Sequence, residues 1–351
     1  MRDDAALPVR LLLLALPLII LLGALLALGL MPAEGLAFAA LIGAILAPTD
    51  AALGLSIFTN PKVPVRIRRA LNVESGLNDG IVTPFVTLFI ALAVATEAEI
   101  QDGRWLVTAL SEIGLAIVAG TVVGIAGGWL LIQADRRGLT GATSKQIAIL
   151  GLAMAAYFGS VAIHGNGCIA AFVGGIIFGA TTRNRLAEPT EFTENMATFM
   201  SVLVWTIFGA VLVTEALHYF SNWRPFVYAI LSLTAIRMAP VALTMIGTRL
   251  RTDTIALMGW FGPRGLASVV FSLLALVQFE EAGRPIDMLV PVVVWTILLS
   301  VIAHGLSANP LAAWYARRLE AASEPQSELA ELRDLSELRE RRNILAGPPS
   351  A

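Results

Sequence analysis

The amino-acid sequence predicts an all-α polytopic membrane protein with about ten transmembrane helices, and its composition is the first reason. Of the 351 residues, 57% are hydrophobic and only 14% are charged, whereas soluble globular proteins are roughly 45–50% apolar and about 25% charged. The mean hydropathy is +0.76. Because a transmembrane helix needs about 20 apolar residues, a chain of this length has room for about ten. This composition excludes a secreted disulfide scaffold, a nucleic-acid-binding protein and a conventional soluble enzyme.

The second reason is that hydropathy breaks at charged, proline and glycine residues divide the chain into ten spans, which we call A to J. They cover residues 9–30 (A), 34–58 (B), 70–95 (C), 105–132 (D), 146–163 (E), 168–182 (F), 196–217 (G), 225–248 (H), 253–279 (I) and 287–315 (J). The apolar run of span A is too long for a signal peptide, so we predict that it is retained. Span F is short, and E with F is alternatively one re-entrant pair.

The third reason is that charge alternates along the connections. Basic residues flank one end of the spans, at Arg2, Arg10, Lys62, Arg66, Arg68, Arg69, Arg136, Arg137, Lys145, Arg183, Arg185, Arg249, Arg251, Arg317 and Arg318. Acidic residues follow spans C and I, at Glu97, Glu99, Asp102, Glu280 and Glu281. The positive-inside rule then places both termini in the cytoplasm. We expect the inner (plasma) membrane of a bacterium.

Spans B and I are both interrupted well inside their apolar runs. Span B contains Ala47-Pro48-Thr49-Asp50-Ala51, and span I contains Phe261-Gly262-Pro263-Arg264-Gly265. Proline removes a backbone donor, and within a membrane the freed groups must be buried in protein or line a cavity. A charged residue in each break argues against two ordinary kinks. Asp50 is suited to offset the partial positive charge of a half-helix N-terminus, and Arg264 the negative charge of a C-terminus.

The two interrupted spans occupy matching places in two triplets of opposite orientation, A-B-C and H-I-J. Such an inverted repeat predicts a transporter whose binding site lies at the interface of the repeats. We therefore predict a first core repeat over residues 1–96, broken at 47–51, and a second over 224–316, broken at 261–265. Residues 97–223 would form scaffold and dimerisation helices. Residues 317–351 would form a cytoplasmic tail, with an amphipathic helix over 320–343.

Span C carries ionisable residues at a depth where lipid disfavours them. Asp79 lies about 15 Å along the helix from the basic connection, near the middle of the membrane. Ser75 is four residues earlier, so both side chains share a helix face. With carbonyls freed by a broken helix they form a hard-oxygen site, suited to Na⁺ or a similar cation. Since burial penalises a charged carboxylate, a proton and a cation would compete for Asp79. The alternative is a neutral or paired Asp79 that only packs.

The other buried polar residues have structural interpretations. Glu74 needs a positive partner within the membrane, for which Arg237 in span H is the best candidate and Arg264 the second. Such an ion pair would hold helices together. His164, between spans E and F, and His304, placed near the end of span J, are interpreted as loop-type residues rather than proton relays.

At this point the sequence resembles the monovalent cation:proton antiporter superfamily, in its Asn-Asp branch with NhaP-type bacterial antiporters and sodium/hydrogen exchangers. The motifs are Ala47-Pro48-Thr49-Asp50, Glu74-Ser75-Gly76-Leu77-Asn78-Asp79, Arg237, Gly262-Pro263-Arg264-Gly265 and His304-Gly305-Leu306. The resemblance implies a six-helix core that moves against a dimerisation domain. It also implies that about three helices preceding span A are missing from this chain.

The resemblance further implies roles for individual residues. Asp79 would bind cation and proton, with Asn78 stabilising the site. The cation would also be bound by Ser75, by the Thr49 carbonyl and at or near Asp50. Glu74 and Arg237 would form the core ion pair, and Asn at position 78 goes with electroneutral one-for-one exchange.

The leading hypothesis is a secondary antiporter that exchanges Na⁺, or K⁺ or Li⁺, for H⁺ by alternating access. Its partners would be the cation, the proton, the lipid bilayer and, if the scaffold is complete, a second copy of the chain; no cofactor and no nucleic acid are expected. Two alternatives are an inverted-repeat carrier for another solute and a truncated, inactive remnant of an antiporter. An enzyme is not expected, because the sequence contains none of the His-Glu-x-x-His, Gly-x-Ser-Gly or Gly-x-Gly-Asp motifs of intramembrane hydrolases.

Overall fold

The described chain consists of α-helices joined by short connections. The computed structural model describes residues 2–50, 53, 57, 60, 63–182, 190–248, 250–284 and 287–320. The helices are α1 (Arg2–Arg10, a π turn at Leu11–Ala15, and Leu16–Leu30), α2 (Gly35–Ile45), α3 (Val65–Val94), α4 (Glu97–Gln101), α5 (Arg104–Arg136), α6 (Ala142–Ala162), α7 (Gly167–Thr182), α8 (Thr190–Ile207, a π turn at Phe208–Leu212, and Val213–Leu217), α9 (Trp223–Leu233), α10 (Ala235–Thr244), α11 (Thr252–Trp260), α12 (Leu266–Glu281) and α13 (Leu289–Glu320).

The helices account for the predicted spans in order. Among the described residues, seven helical segments are long and apolar enough to cross a membrane: α1, α3, α5, α6, α8, α9 continuing into α10, and α13. The predicted span F is α7, which has 16 residues and is shorter. The predicted span E is α6, whose 21 residues suffice for a full crossing. Spans B and I are interrupted, as predicted, and the all-α polytopic membrane fold is confirmed.

The start of helix α3 differs from the prediction. Helix α3 begins at Val65, directly after Pro64, because a proline has no backbone N–H and its fixed φ suits the start of a helix. Arg66, Arg68 and Arg69 therefore belong to the first turns of α3 rather than to a connection. The other predicted basic positions Lys62, Arg183, Arg185 and Arg249 lie outside the described residues, as does the predicted tail helix beyond position 320.

Span H crosses as one segment, Trp223–Thr244, as predicted, but it contains a local break that was not predicted. The backbone leaves helical geometry at Thr234, with φ −108° and ψ −90°, and this separates α9 from α10. The Thr234 hydroxyl donates to the carbonyl of Ile230 at 2.6 Å, an interaction that bends helices in membranes. The break lies close to the buried Arg237 on α10.

Among the described residues, buried apolar side chains form two clusters of unequal size. The larger joins α1, α2 and α3 to α9–α13 and includes part of α8. The smaller lies between α5 and α7, around Ala116 and Ala170. There Gly120 and Gly124 allow close approach, since a Cβ on Gly120 would overlap the Ala170 carbonyl and one on Gly124 would meet the Gly174 carbonyl at 2.7 Å.

Two arginines link helix ends of the predicted repeats. Arg10 on α1 donates to the carbonyls of Thr244 and Ile246, where α10 ends, at 2.9 and 2.8 Å. Arg284, after α12, donates to the carbonyls of Ala93 and Ala95, where α3 ends, at 2.8 and 2.7 Å. The last carbonyls of a helix have no partner within the helix and carry partial negative charge, so each arginine stabilises the helix end it contacts.

Candidate functional site

The two broken helices meet, and each supplies a charge to the other. The N–H of Asp50 donates to the Pro263 carbonyl at 2.7 Å. The Asp50 carboxylate accepts from the Leu266 N–H, at the start of α12, at 2.8 Å. In the opposite direction, Arg264 Nη1 donates to the carbonyls of Ala47 and Pro48, beyond the end of α2, at 2.9 and 3.3 Å. An anion at a helix N-terminus and a cation beyond a C-terminus are the placements that helix dipoles favour.

The break between α11 and α12 is braced by α13. The Arg264 N–H donates to Ser300 Oγ at 2.7 Å. His304 Nε2 lies 2.8 Å from the Trp260 carbonyl and Nδ1 lies 2.8 Å from the Ser300 carbonyl. The interpretation of His304 as a loop-type residue near a helix end was wrong, because α13 continues to Glu320. His304 is instead buried in the middle of α13 and bound to backbone oxygens.

Three polar side chains on α3 and the first break form a hydrogen-bonded cluster. Asn78 Nδ2 donates to Thr49 Oγ1 at 2.7 Å and to the Thr49 carbonyl at 3.2 Å. The hydroxyls of Thr49 and Ser75 lie 2.9 Å apart. All three residues are buried. The contacts hold the non-helical backbone of the first break against α3, so an amide at position 78 and two hydroxyls fix the position of the Thr49 carbonyl.

Asp79 lies beside this cluster at the wall of a cavity of about 410 Å³. Its atom Oδ1 is buried and has no hydrogen-bond partner among the described residues. The backbone carbonyl of Asp79 accepts from Thr83 Oγ1 at 2.7 Å. The cavity is lined by Pro48, Thr49, Asp50, Ser75, Asp79, Gly80, Thr83, Cys168, Phe172, Gly265, Leu266, Ala267, Val270 and Phe271. Asp79 therefore lines a space shared by both breaks, and one of its carboxylate oxygens has no donor.

Glu74 and Arg237, which are not part of the cavity lining, form an ion pair. Arg237 donates through Nη1 to Glu74 Oε1 at 2.5 Å and through Nη2 to Oε2 at 2.9 Å. Both side chains are buried. Gly262 makes room for the pair, since a Cβ there would overlap Arg237 Nε. A two-pronged arginine–carboxylate pair is strong and directional, and this one connects α3 to α10. Arg264, the second candidate, binds carbonyls instead.

The structure thus brings together the predicted site residues from both repeats. Thr49, Asp50, Ser75 and Asp79 line the cavity, and Asn78 donates hydrogen bonds to Thr49. The other three predicted residues, Glu74, Arg237 and Arg264, are not part of the lining. Several lining residues were not predicted from the sequence: Thr83, Cys168, Phe172, Val270 and Phe271. Of these only Thr83 was within reach of sequence reasoning, because it lies four residues after Asp79 on the same helix face.

His164 lies in the turn between α6 and α7, away from the lining of the cavity, where its φ is +61°. The neighbouring Asn166 caps α7 by accepting from the Ile169 N–H, and its amide donates to Thr87 Oγ1 on α3 at 2.8 Å. The turn therefore has a structural reason for its polar residues.

Comparisons with known proteins agree with this arrangement. A family model described as "Sodium/hydrogen exchanger, transmembrane" matches residues 3–314. A Na(+)/H(+) antiporter of Schizosaccharomyces pombe is 27% identical over 278 residues, which is 72% of this chain and 58% of that protein. The K(+)/H(+) antiporter NhaP2 of a Shewanella species is 22% identical over 275 residues, which is 78% of this chain and 46% of that protein. The chain therefore spans about half the length of these relatives.

A solved structure has the same fold. The sodium proton antiporter MjNhaP1 from Methanocaldococcus jannaschii superposes with a TM-score of 0.68 at 20% identity, covering 90% of this chain and 79% of that one. Because the family model spans most of the sequence, this integral membrane protein belongs to the sodium/hydrogen exchanger family, which is a family of transporters.

Proposed function

We propose that this protein is a secondary antiporter that exchanges a monovalent cation for H⁺ by alternating access at Asp79. The observation that carries the proposal is Asp79, which lines the cavity where the two broken helices meet and whose Oδ1 has no partner among the described residues. The names of the relatives, Na(+)/H(+) and K(+)/H(+) antiporters, support the same exchange. Na⁺ is the first candidate cargo, with K⁺ and Li⁺ next.

The lining of the cavity suits a dehydrated monovalent cation. Oxygen ligands from carboxylates, hydroxyls and carbonyls are those that hard cations prefer. Asp79, Ser75 and Thr49 supply one of each kind within the cluster and cavity. Replacing the hydration shell of an ion requires oxygens that are already in position, and the hydrogen bonds from Asn78 to Thr49 provide that positioning.

Competition at one carboxylate couples the two fluxes. In a low-dielectric site a charged carboxylate needs a compensating positive charge, which either a cation or a proton supplies. Asp50 is already bound by backbone N–H groups of Leu53 and Leu266, so it acts as a fixed charge while Asp79 exchanges its partner. With a neutral amide at Asn78, one positive charge enters for each that leaves, and exchange is electroneutral.

The proposal is tested with purified protein in liposomes. Adding Na⁺ or K⁺ outside acid-loaded vesicles should dissipate the pH gradient, and Asp79→Asn should abolish this response. Asp102→Asn is the matched control, because Asp102 is 65% exposed and lies outside the cavity. Asp79→Asn must remain folded, as judged by size-exclusion chromatography. Cation-dependent exchange that persists in folded Asp79→Asn protein would refute the assignment.

We further propose a cytoplasmic location for both termini, in the plasma membrane of a bacterium, and a homodimer. The supporting observation for the orientation is the alternation of basic and non-basic connections along the chain, with Arg136 at the end of α5, Lys145 near the start of α6 and Arg251 just before α11. For the dimer it is the largely exposed apolar surface of α6 and α8. Reporter fusions at each terminus and crosslinking in membranes test these two statements.

A further inference from the structure

Most of the cavity wall comes from the two predicted repeats, and one stretch does not. Cys168 and Phe172 are contributed by α7, while the other lining residues belong to the first break, α3 and the start of α12. The two lie four residues apart and so share one face of α7. Helix α7 packs closely against α5 and α6, within the predicted scaffold. One side of the cation site is therefore formed by a helix outside the repeats.

Phe172 occupies a notch that Gly80 creates in α3. A Cβ placed on Gly80 would overlap three carbon atoms of the Phe172 ring, so the ring rests directly on the helix backbone. Gly76, one turn earlier on the same helix, has nothing within 4 Å of such a Cβ. The glycine at position 80 is thus matched to Phe172. Because Gly80 follows Asp79 immediately, the ring covers α3 beside the carboxylate.

The ring has a definite chemical effect at this position. Phe172 supplies no oxygen ligand and excludes water from the side of the cavity it fills. A cation at Asp79 must then be bound by the oxygens of the core alone, within a volume that the ring limits. Pocket walls of this kind discriminate between ligands by size.

We propose that Phe172, seated on Gly80, closes the scaffold side of the cation site and is a specificity-determining residue for the transported cation. The inference rests on the proposed exchange at Asp79 and adds a size limit to it. Closure of the site by Phe172, which we call the seal, also depends on the relative position of α3 and α7. If one helix slides past the other, the ring leaves its position on Gly80.

The test compares two pairs of variants in liposomes. Phe172→Ala should lower the ratio of KM for K⁺ to KM for Na⁺ by about tenfold, in line with the discrimination that one apolar group supplies in a pocket, and Phe172→Leu should retain most of it. Phe178→Ala is the control, because Phe178 is on the same helix but lines a separate apolar cavity of about 220 Å³. Gly80→Ala should act like Phe172→Ala by displacing the ring, whereas Gly76→Ala should not.

A second measurement does not depend on transport. Cys168 is the only cysteine of the chain, and it lines the same cavity. Its rate of reaction with a membrane-impermeant cationic methanethiosulfonate should rise severalfold in Phe172→Ala and Gly80→Ala, and stay unchanged in the two controls. Unchanged labelling together with unchanged cation selectivity in folded Phe172→Ala would overturn the inference. If the unmodified protein showed no exchange but the labelling pattern were as expected, the proposed function would be wrong. The closure of the cavity by Phe172 would still be supported.

Discussion

The two broken segments face different surroundings although they resemble each other in sequence. The first contains Thr49 and Asp50, both at the wall of the cavity. The second, from Phe261 to Gly265, is buried throughout, and the Arg264 side chain has no exposed surface. Each break contains a proline and a charge, yet only the first presents its polar groups to the space where a cation would bind.

This difference indicates a division of labour between the repeats. The second break is braced by Ser300 and His304 of α13, and it in turn holds the first through Arg264 and the Leu266 N–H. The second break thereby fixes the first through Ala47, Pro48 and Asp50 rather than through Thr49. If the cation binds at Asp79 as proposed, the first repeat binds the cargo and the second positions it, so substitutions in the two repeats should differ in whether they change stability or cation affinity.

The largest effect is expected where the repeats are joined by charge. Arg237→Met leaves the buried Glu74 carboxylate without its partner, which costs about 3–5 kcal/mol of folding free energy in comparable buried pairs. Thermal unfolding in lipid or detergent should show a large drop in Tm. The double variant Glu74→Met/Arg237→Met should be less destabilised than Arg237→Met, because no lone charge remains buried.

The control for this prediction is an exposed pair. Arg104 and Asp102 lie 3.7 Å apart with most of both side chains in solvent, and such pairs contribute about 0–1 kcal/mol. Arg104→Met should therefore leave Tm nearly unchanged. A loss of similar size in Arg104→Met and Arg237→Met would mean that the buried pair does not join the repeats.

The ion pair also shows why part of the site could be predicted from sequence. In an apolar chain a buried charge is rare and needs a partner of opposite charge, so the sequence predicted that Glu74 and Arg237 form a pair. The breaks were equally visible, because proline and charge together are costly in a membrane helix. Phe172 was not visible, since one aromatic residue among many apolar ones carries no local signal. The role of His304 was missed because its contact with the Trp260 carbonyl depends on how α13 packs against the second break, which hydropathy does not show.

The next effect compares the two breaks directly. Arg264→Met removes the donor to the carbonyls of Ala47 and Pro48, and a hydrogen bond to a charged group contributes about 1.5–3 kcal/mol. Tm should fall, while the KM for cation of the protein that remains folded should change little. Asp50→Asn keeps an oxygen near the Leu266 N–H but removes a negative charge from the cavity wall. It should raise the KM for cation severalfold with a smaller loss of Tm.

Both quantities are measured on the same preparations, with Na⁺ titrated in liposomes and unfolding followed in parallel. The proposed division of labour requires the two variants to separate in opposite ways. If Arg264→Met raised the KM as much as Asp50→Asn at equal stability, the second break would belong to the binding site as well.

The smallest effects are expected at the two helix ends that an arginine of the other repeat contacts. Arg10→Gln and Arg284→Gln each remove a positive charge from a helix C-terminus, which contributes about 0.3–1 kcal/mol at partly exposed sites. Because the two contacts involve different helix ends and no common residue, their losses in Tm should add in the double variant. Both losses should shrink at high salt, since exposed charges are screened. A double variant whose loss in Tm is much larger than the sum of the two single losses would contradict this expectation. It would show that the two ends are coupled through the broken helices, so that the repeats stabilise each other as one cooperative unit.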